Sequence, residues 1–435
     1  MKKYLIIVES PAKSKTLVKY LGNEFVVEAS IGHVKDLPAK KIGVDLENNF
    51  APEYEVIAGK QKTLDAIKKA ARTVEAIYLA TDPDREGEAI AWHIAEEINT
   101  KKKEIYRATF NEITKNAVLH AIANPIRLNK DLFEAQQARR ILDRLVGYKI
   151  SPLLWQKVKS GLSAGRVQSV AVRIICEREE EIQNFKAVEF WTIDAHVRAD
   201  NPPDFILRLT EIDGKKPVLS KENDAKKILQ EIENAEFKVA KVEKKEVKRA
   251  PSPPFITSTL QQEAARRLRF PASMTMSLAQ HLYEGINVGE EGPVGLITYM
   301  RTDSTRISEE ALGAARQFIK QNFAKEYLPA QARVYKNKKT AQDAHEAIRP
   351  TSMEWTPDRV KPFLDKPQFK LYQLIWNRFI ASQMSNAVFM QTRVESLVNQ
   401  RYLFSTTGLT NIFSGFLALY EEGKDEEVNN QNSGA

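Results

Sequence analysis

A tyrosine, an arginine and an aspartate occupy alternate positions in Leu296-Ile297-Thr298-Tyr299-Met300-Arg301-Thr302-Asp303-Ser304. Side chains of an extended segment alternate with period two, so Tyr299, Arg301 and Asp303 are expected to face one side. A phenol oxygen held beside a guanidinium can attack a phosphate, because the fixed positive charge offsets the charge that develops on phosphorus-bound oxygens. A second constellation is acidic and lies far upstream: Glu9, then Asp82, Asp84 and Glu86. Mg²⁺ takes hard oxygen ligands, commonly one or two carboxylates with substrate phosphate and water. Together the two point to phosphoryl transfer on a nucleic acid. Each also has a plainer reading. A tyrosine beside an arginine is commonly a packed or surface pair, and Asp82-Pro83-Asp84-Arg85-Glu86 could be a solvated acidic helix start favoured by the helix dipole. Glu9, at the end of an apolar run, tips the balance toward chemistry. Lys13, one turn further on, is placed to neutralise a phosphate.

These residues need elements to carry them. Tyr4-Leu5-Ile6-Ile7-Val8 is too short for the apolar region of a signal peptide and reads as a buried strand. Ser10-Pro11 then opens a helix over Ala12 to Leu21. Ala76 to Ala80 is a second strand, and Gly87 to Ile98 a helix after the acidic turn. Ligands of open α/β sheets sit outside the carboxyl ends of the strands, where Glu9 and Asp82 both fall. Residues 1–130 are therefore expected to form an α/β domain with an acidic site. Residues 131–187 read as helical over Leu132 to Leu145 and Val167 to Ile182, interrupted at Ser151-Pro152 and at Gly161-Leu162-Ser163-Ala164-Gly165. Short alternating strands follow, as in Trp191 to Val197, up to the stiff linker Ala250-Pro251-Ser252-Pro253-Pro254. Residues 255–385 are expected to be a helical domain carrying Tyr299. Strand-like runs return at Thr392 to Phe404 and Phe413 to Tyr420. One β-rich domain, 188–254 with 386–420, is thus split around the helical one. Residues 421–435 read as a disordered acidic and polar tail.

The composition constrains the partner. The 435 residues exceed one ordinary core, and a net charge of +8 with pI about 9.1 fits a polyanion without demonstrating one. A single cysteine, Cys176, excludes a disulfide framework and a cysteine-type zinc site and suits a reducing cytoplasm. No run approaches a membrane span. In Ala138-Arg139-Arg140-Ile141-Leu142-Asp143-Arg144, Arg140 and Arg144 share a helix face, as do Arg139 and Asp143, and Tyr148 and Trp155 follow. Arginines contact phosphates and aromatics stack on splayed bases, the combination used for single strands; a salt-bridged helix with buried aromatics is the plain alternative. Ser163-Ala164-Gly165-Arg166-Val167-Gln168 opens a helix with small residues and free amides, a natural phosphate site or an ordinary cap. Gly59-Lys60 lacks the rest of a P-loop, so ATP use is not supported. His345-Glu346 has Arg349 where a zinc protease helix needs histidine, which leaves His345 as a possible phosphate contact.

In this order, Ile7-Val8-Glu9-Ser10-Pro11-Ala12-Lys13, Ala80-Thr81-Asp82-Pro83-Asp84-Arg85-Glu86-Gly87-Glu88 and the Tyr299 motif resemble the type IA DNA topoisomerases. Thr275 to Gly285 is closer to bacterial topoisomerase I than to topoisomerase III. The resemblance implies a Toprim (Rossmann-like) domain, helical domains and a split β-rich domain, arranged as a toroidal multidomain core of α/β, α and β parts. It implies Tyr299 as nucleophile, assisted by Glu9, Arg301 and Lys13. It implies Mg²⁺ at Glu9, Asp82, Asp84 and Glu86, without ATP or zinc. Contacts to DNA would come from His33, Arg139, Arg140, Asp143, Tyr148, Trp155, the residues Ser163, Ala164, Gly165, Arg166, Val167 and Gln168, and from Arg301, Asp303 and His345. The expected partner is single-stranded or negatively supercoiled DNA, the expected state a monomer, and the expected location the cytoplasm at the nucleoid. Family members continue beyond this length to complete the helical domain begun at 131–187. A truncated form that cleaves without relaxing DNA, or only binds it, is therefore also open.

Overall fold

The computed structural model describes residues 3–98, 103–198, 204–336 and 345–423. The residues expected to form a disordered tail lie, from 424 on, outside them.

Strand β1 (Tyr4–Val8) leads through Ser10 into helix α1 (Pro11–Tyr20), with the Ser10 hydroxyl accepting from the Lys13 amide at 3.1 Å and Pro11 in the first turn. Strands β2 (Phe25–Ala29), β3 (Ala76–Leu79) and β4 (Glu104–Arg107) complete a parallel sheet in the order β2-β1-β3-β4. Helix α2 (Gln61–Arg72) precedes β3, and α3 (Arg85–Ile98) follows it. The apolar run of β1 has a clear cause, since both of its faces are covered. Leu5 and Ile7 join one core with Leu64, Ile67, Ile90 and Ile94. Ile6 and Val8 join another with Tyr283, Leu296, Tyr299 and Phe379, far along the chain. The chain leaves β1 toward β2 and returns on the other side at β3. The crevice between the carboxyl ends of β1 and β3 is a topological switch point, and Glu9 and Asp82 stand at its two lips.

After helix α4 (Lys115–Ala123), helix α5 runs unbroken over 28 residues, Lys130–Lys157, with Pro152 inside it. The interruption expected at Ser151-Pro152 does not occur. A proline removes one helical hydrogen bond and crowds the preceding turn, but here tertiary contacts hold the helix through. Ser151 is buried and its hydroxyl accepts from the Ala164 amide at 3.0 Å, while the Trp155 indole donates to the Leu162 carbonyl at 2.6 Å. Helix α6 (Arg166–Gln183) then projects with no buried residue.

The second sheet is antiparallel, in the order β7-β8-β9-β6-β5, from β5 (Asp194–Val197), β6 (Phe205–Ile212), β7 (Lys238–Arg249), β8 (Ala387–Val398) and β9 (Tyr402–Phe413). Its core joins Leu207 and Leu209 to Tyr402 and Phe404 and to Ile228 of helix α7 (Glu222–Ile232). Strands from either side of the helical region therefore share one sheet. The boundaries expected from sequence shift in two places. The run Thr392 to Phe404 is parts of two strands joined by a tight hairpin, with φ of 51° at Asn399 and 57° at Gln400. Phe413 to Tyr420 is not a strand. Gly415 (φ 49°) starts a single 3-10 turn, and a Cβ there would lie 2.3 Å from the Asn386 carbonyl, so the chain crosses too close to pair.

The intervening region is helical: α8 (Thr257–Glu263), running on into a π-turn, then α9 (Ala272–Glu284), α10 (Glu309–Asn322) and α11 (Lys366–Ser382). The Tyr299 segment is irregular rather than a strand, and the shared side expected for Tyr299, Arg301 and Asp303 is only partly found. Arg301 and Asp303 are exposed, while Tyr299 is turned inward. The cause is where its backbone bonds go: the Tyr299 amide donates to Asn111 at 2.7 Å and the Thr298 amide to Arg349 at 2.9 Å, not into a ladder. Among the described residues no helix is long and apolar enough to cross a membrane.

Candidate active site

Lys13 is the hub of the crevice. It is fully buried, and its Nζ donates to Glu9 Oε1 at 3.0 Å, Glu9 Oε2 at 3.3 Å and Asp82 Oδ1 at 3.0 Å. The rings of Phe110 and Tyr283 lie 5.2 Å and 5.7 Å from the same ammonium. Burial alone would lower the lysine pKa, but Asp82 and Glu9 outweigh it and hold Lys13 charged. Glu9 is pushed the other way, up to about 7, by its own burial and by the neighbouring Asp82 carboxylate, with Lys13 opposing. It can therefore both give and take a proton near neutrality.

Asp82 is set by a residue that the sequence reading missed. Arg107, at the end of β4, is buried and donates to the backbone carbonyls of Leu79 at 2.9 Å, Thr81 at 2.9 Å and Asp82 at 2.7 Å, and to Glu88 Oε2 at 2.8 Å. The available signal was its position, a charge closing an apolar strand at the same sheet edge as Glu9 and Asp82. Gly87 completes the turn. Its amide donates to Asp84 Oδ1 at 2.8 Å, and a Cβ in its place would stand 2.1 Å from the Asp82 carbonyl oxygen.

Tyr299 reaches into this turn from the helical region. Its phenol donates to Asp84 Oδ2 at 2.6 Å. Burial first, then the Asp82 and Asp84 carboxylates, raise its pKa, so the phenol is held protonated against a carboxylate that can accept its proton. The His345 ring lies 5.9 Å from the Tyr299 ring, and its Nε2 is 3.1 Å from the Pro83 carbonyl. Arg349 is buried and ion-pairs with Glu346 and with Glu112, each at 2.9 Å, a further bond between the helical region and the N-terminal segment.

Two cavities flank the Tyr299–Asp84 contact. One, of about 650 Å³, is lined by Glu9, His33, Asp82, Asp84, Glu86 and Arg301 among others. The second, of about 600 Å³, is lined by Asp84, Arg139, Arg301, Asp303 and His345 among others. Arg301 borders both. Glu86 meets His33 Nε2 at 3.4 Å and accepts from Gln136 at 3.1 Å, and the His33 contact holds its carboxyl below the usual range. Among the described residues no group of three or more His, Cys, Asp or Glu side chains is arranged to hold a metal ion by itself. The open row Asp82, Asp84 and Glu86 nevertheless offers the donor chemistry that Mg²⁺ uses when substrate phosphate and water complete its shell. Glu9 lines the same cavity, and it and Asp82 both accept from Lys13 at 3.0 Å.

The α5 residues lead away from these cavities. Arg139 lines the second, but Arg140 is engaged bidentately by Asp36, and Asp143 pairs with Arg166 at 2.6 Å rather than with Arg139. Arg144 is buried, donating to the carbonyls of Leu37, Pro38 and Lys41, and stacks 4.8 Å from the Tyr148 ring. Trp155 is half exposed. Gly165 caps α6 without a side-chain bond, and Gln168 folds back over it so closely that a Cβ at Gly165 would lie 2.0 Å from Gln168 Oε1. Ser163 and Val167 are exposed, while Ala164 is buried.

Comparison with known proteins agrees with this architecture. The profile of a family described as DNA topoisomerase matches residues 127–434, and that of the Toprim domain residues 4–113. The chain is 51% identical to DNA topoisomerase 1 of Rickettsia felis, over 98% of this chain and 56% of that protein. It is 50% identical to DNA topoisomerase 1 of Xylella fastidiosa (strain Temecula1), over 98% of this chain and 54% of that one. The solved structure of full-length topoisomerase I from Thermotoga maritima superposes with a TM-score of 0.82 at 42% identity, covering 98% of this chain and 69% of that one. The chain thus spans about half the length of the curated relatives it matches.

Proposed function

The chain belongs to the bacterial type IA DNA topoisomerase I family, and from that premise we propose that Tyr299 cuts and reseals one strand of DNA by reversible transesterification. The observation that carries this is the 2.6 Å bond from the Tyr299 phenol to Asp84, a carboxylate that lines one cavity together with Glu9 and Asp82. Asp84 accepts the phenol proton as the Tyr299 oxygen attacks a backbone phosphorus. The bond from phosphorus to the 3′ oxygen breaks, leaving a 5′-phosphotyrosyl link. Glu9, poised near neutrality, gives its proton to the departing 3′ oxygen and takes it back on resealing. Lys13 and Arg301 offset the extra negative charge at phosphorus. When Mg²⁺ is bound, Asp82, Asp84 and Glu86 are the carboxylates that would hold it, and it would neutralise and orient phosphate. One phosphodiester replaces another, so ATP is not needed and torsion in negatively supercoiled DNA supplies the drive.

The DNA strand is proposed to run from the two cavities along α5, over Arg139, Tyr148 and Trp155, toward the start of α6. Residues 188–254 with 386–420 serve as a hinge unit that lets residues 255–385 lift Tyr299 away from residues 1–130. Its two crossings lie side by side, since the Tyr335 hydroxyl donates to the Ser382 carbonyl at 2.8 Å and the Arg378 guanidinium to that of Pro253 at 2.7 Å. The reaction takes place on DNA in the cytoplasm, by a monomer.

A second reading is favoured by α6, none of whose residues is buried among the described ones: cleavage and resealing without relaxation. One assay separates them. The chain is incubated with Mg²⁺ and both supercoiled plasmid and an end-labelled oligonucleotide, then quenched with denaturant. Relaxed plasmid supports the first reading, and an adduct without relaxation supports the second. Neither product would mean a DNA-binding protein without turnover. An adduct that persists in Tyr299→Phe would falsify the assignment of the nucleophile.

A further inference from the structure

Tyr283, at the end of α9, lies against Tyr299 and Lys13 and was not among the residues read as functional. It is fully buried, and its hydroxyl has no hydrogen-bond partner among the described residues. A buried hydroxyl left unpaired costs free energy, and phenylalanine would fill the same space without that cost. The ring is not loosely held. Its centroid is 5.3 Å from that of Tyr299 at 64°, an edge-to-face contact, and its face carries the Lys13 ammonium at 5.7 Å. The surrounding backbone is equally fixed: a Cβ on Gly295 would lie 2.7 Å from the Tyr283 carbonyl and 3.1 Å from that of Ile113. The next residue, Glu284, accepts through its carbonyl from the Thr16 hydroxyl of α1 at 2.7 Å. Burial, then Asp82, Glu9 and Tyr299 in turn, hold the phenol protonated. The hydroxyl is therefore a permanent donor among carboxylates that already have other partners.

We propose that Tyr283 is a positioning residue for strand cleavage, with its ring holding the Tyr299 phenol and the Lys13 ammonium in register and its hydroxyl, closed off while the two regions are together, reserved for an oxygen of the strand that enters as they part. The inference rests on the cleavage reading above. It also has a consequence for motion. Tyr283 and Tyr299 belong to the same helical region and move together, whereas Lys13 stays with α1. Parting of the two regions would strip Lys13 of one aromatic wall and its neighbouring nucleophile at once, and closure would restore both.

The test uses the full chain with Mg²⁺ and an end-labelled single-stranded oligonucleotide. It measures the single-turnover rate of adduct formation, oligonucleotide affinity by anisotropy, and melting temperature. Tyr283→Phe keeps the ring and removes the donor. It should melt no lower than the parent, bind the oligonucleotide within about twofold, and form adduct roughly 10- to 100-fold more slowly, the loss expected when one donor to a charged group is removed. Tyr283→Leu, lacking the ring as well, should be slower still. A Tyr283→Phe protein that is folded and cleaves within about twofold of the parent would overturn the reserved hydroxyl. If folded Tyr283→Leu did so too, the positioning role would go with it and Tyr283 would be a core aromatic. Failure of the underlying reading has a different signature: the parent chain itself would form no adduct, or Tyr299→Phe would still form one.

Discussion

The crevice at Lys13 and the surface of α6 differ most in what covers them. In the crevice a lysine with no exposed surface is enclosed by two carboxylates and two aromatic rings from four separate stretches of chain. On α6, Val167, Val170, Val172, Ile174, Ile175 and Ile182 are each more than half exposed. Both are local departures from the usual inside-out rule, a buried charge and a run of exposed apolar side chains on one helix. The first is resolved within the described residues, because every member of the charge cluster has a partner. The second is not. The groups proposed to do the chemistry are assembled, while among the described residues nothing buries any side chain of α6.

The largest effect is expected where the charge cluster is opened. Lys13→Met leaves Glu9 and Asp82, only 11% and 13% exposed, without their cation, and unfolding by denaturant should show a loss of about 3–5 kcal/mol. A loss under about 1 kcal/mol would mean that the crevice is wetter than its geometry indicates. Next comes Gly87→Ala, whose methyl would lie 2.1 Å from the Asp82 carbonyl oxygen. Overpacking there should cost about 1–3 kcal/mol and slow adduct formation, because the Asp82 to Asp84 turn must shift. Normal cleavage by this variant would show that the turn is not held as tightly as Arg107 and Gly87 suggest.

A smaller effect should come from pH. Glu9 in the folded chain titrates at about 7, above the ordinary carboxylate range. Its protonated form favours folding, so this contribution is complete below the unfolded value and is lost as pH rises through about 7. Melting temperature between about pH 5 and pH 8 should therefore fall more steeply in the parent than in Glu9→Gln. Adduct formation in the parent should slow over the same rise if Glu9 protonates the leaving oxygen. A slope unchanged by Glu9→Gln would move that role elsewhere. The smallest effect belongs to α6. Ile174→Ser and Ile175→Ser should each change stability by no more than about 0.5 kcal/mol, and α6 amides should exchange with solvent far faster than those of α3. Slow exchange along α6 in this chain would show that something does cover it.

Much of the site was legible because parallel strands leave a strong trace. An apolar run that ends abruptly at Glu9, and another that ends at Asp82, already place two carboxylates at one sheet edge. The helix after Ser10-Pro11 was equally plain from its cap. Other features were hidden because they depend on partners distant in sequence. Pro152 reads as a break, yet α5 continues through it, with Ser151 and Trp155 bonded to the segment before α6. Tyr299 reads as part of an extended segment beside Arg301, yet bonds to Asn111 and Arg349 turn it inward. Arg139 and Asp143 share a helix face in the sequence, yet Asp143 pairs with Arg166, and Arg140 with Asp36, both distant along the chain.

The sequence by itself determined which chemical groups this protein has: a phenol, a guanidinium, a lysine and a set of carboxylates, in an order that resembles one family. Those are covalent facts, and strand and helix periodicity place most of them at element ends. Only the tertiary structure decided how they are paired. It brought Tyr299 to Asp84 across more than two hundred residues of chain, buried Lys13 between Glu9 and Asp82, and set the ring of Tyr283 against both Tyr299 and Lys13. The physical reason is that pKa, proton direction and charge pairing depend on burial and on distances of a few ångströms. These are fixed by which surfaces pack together, and no local pattern of residues records that.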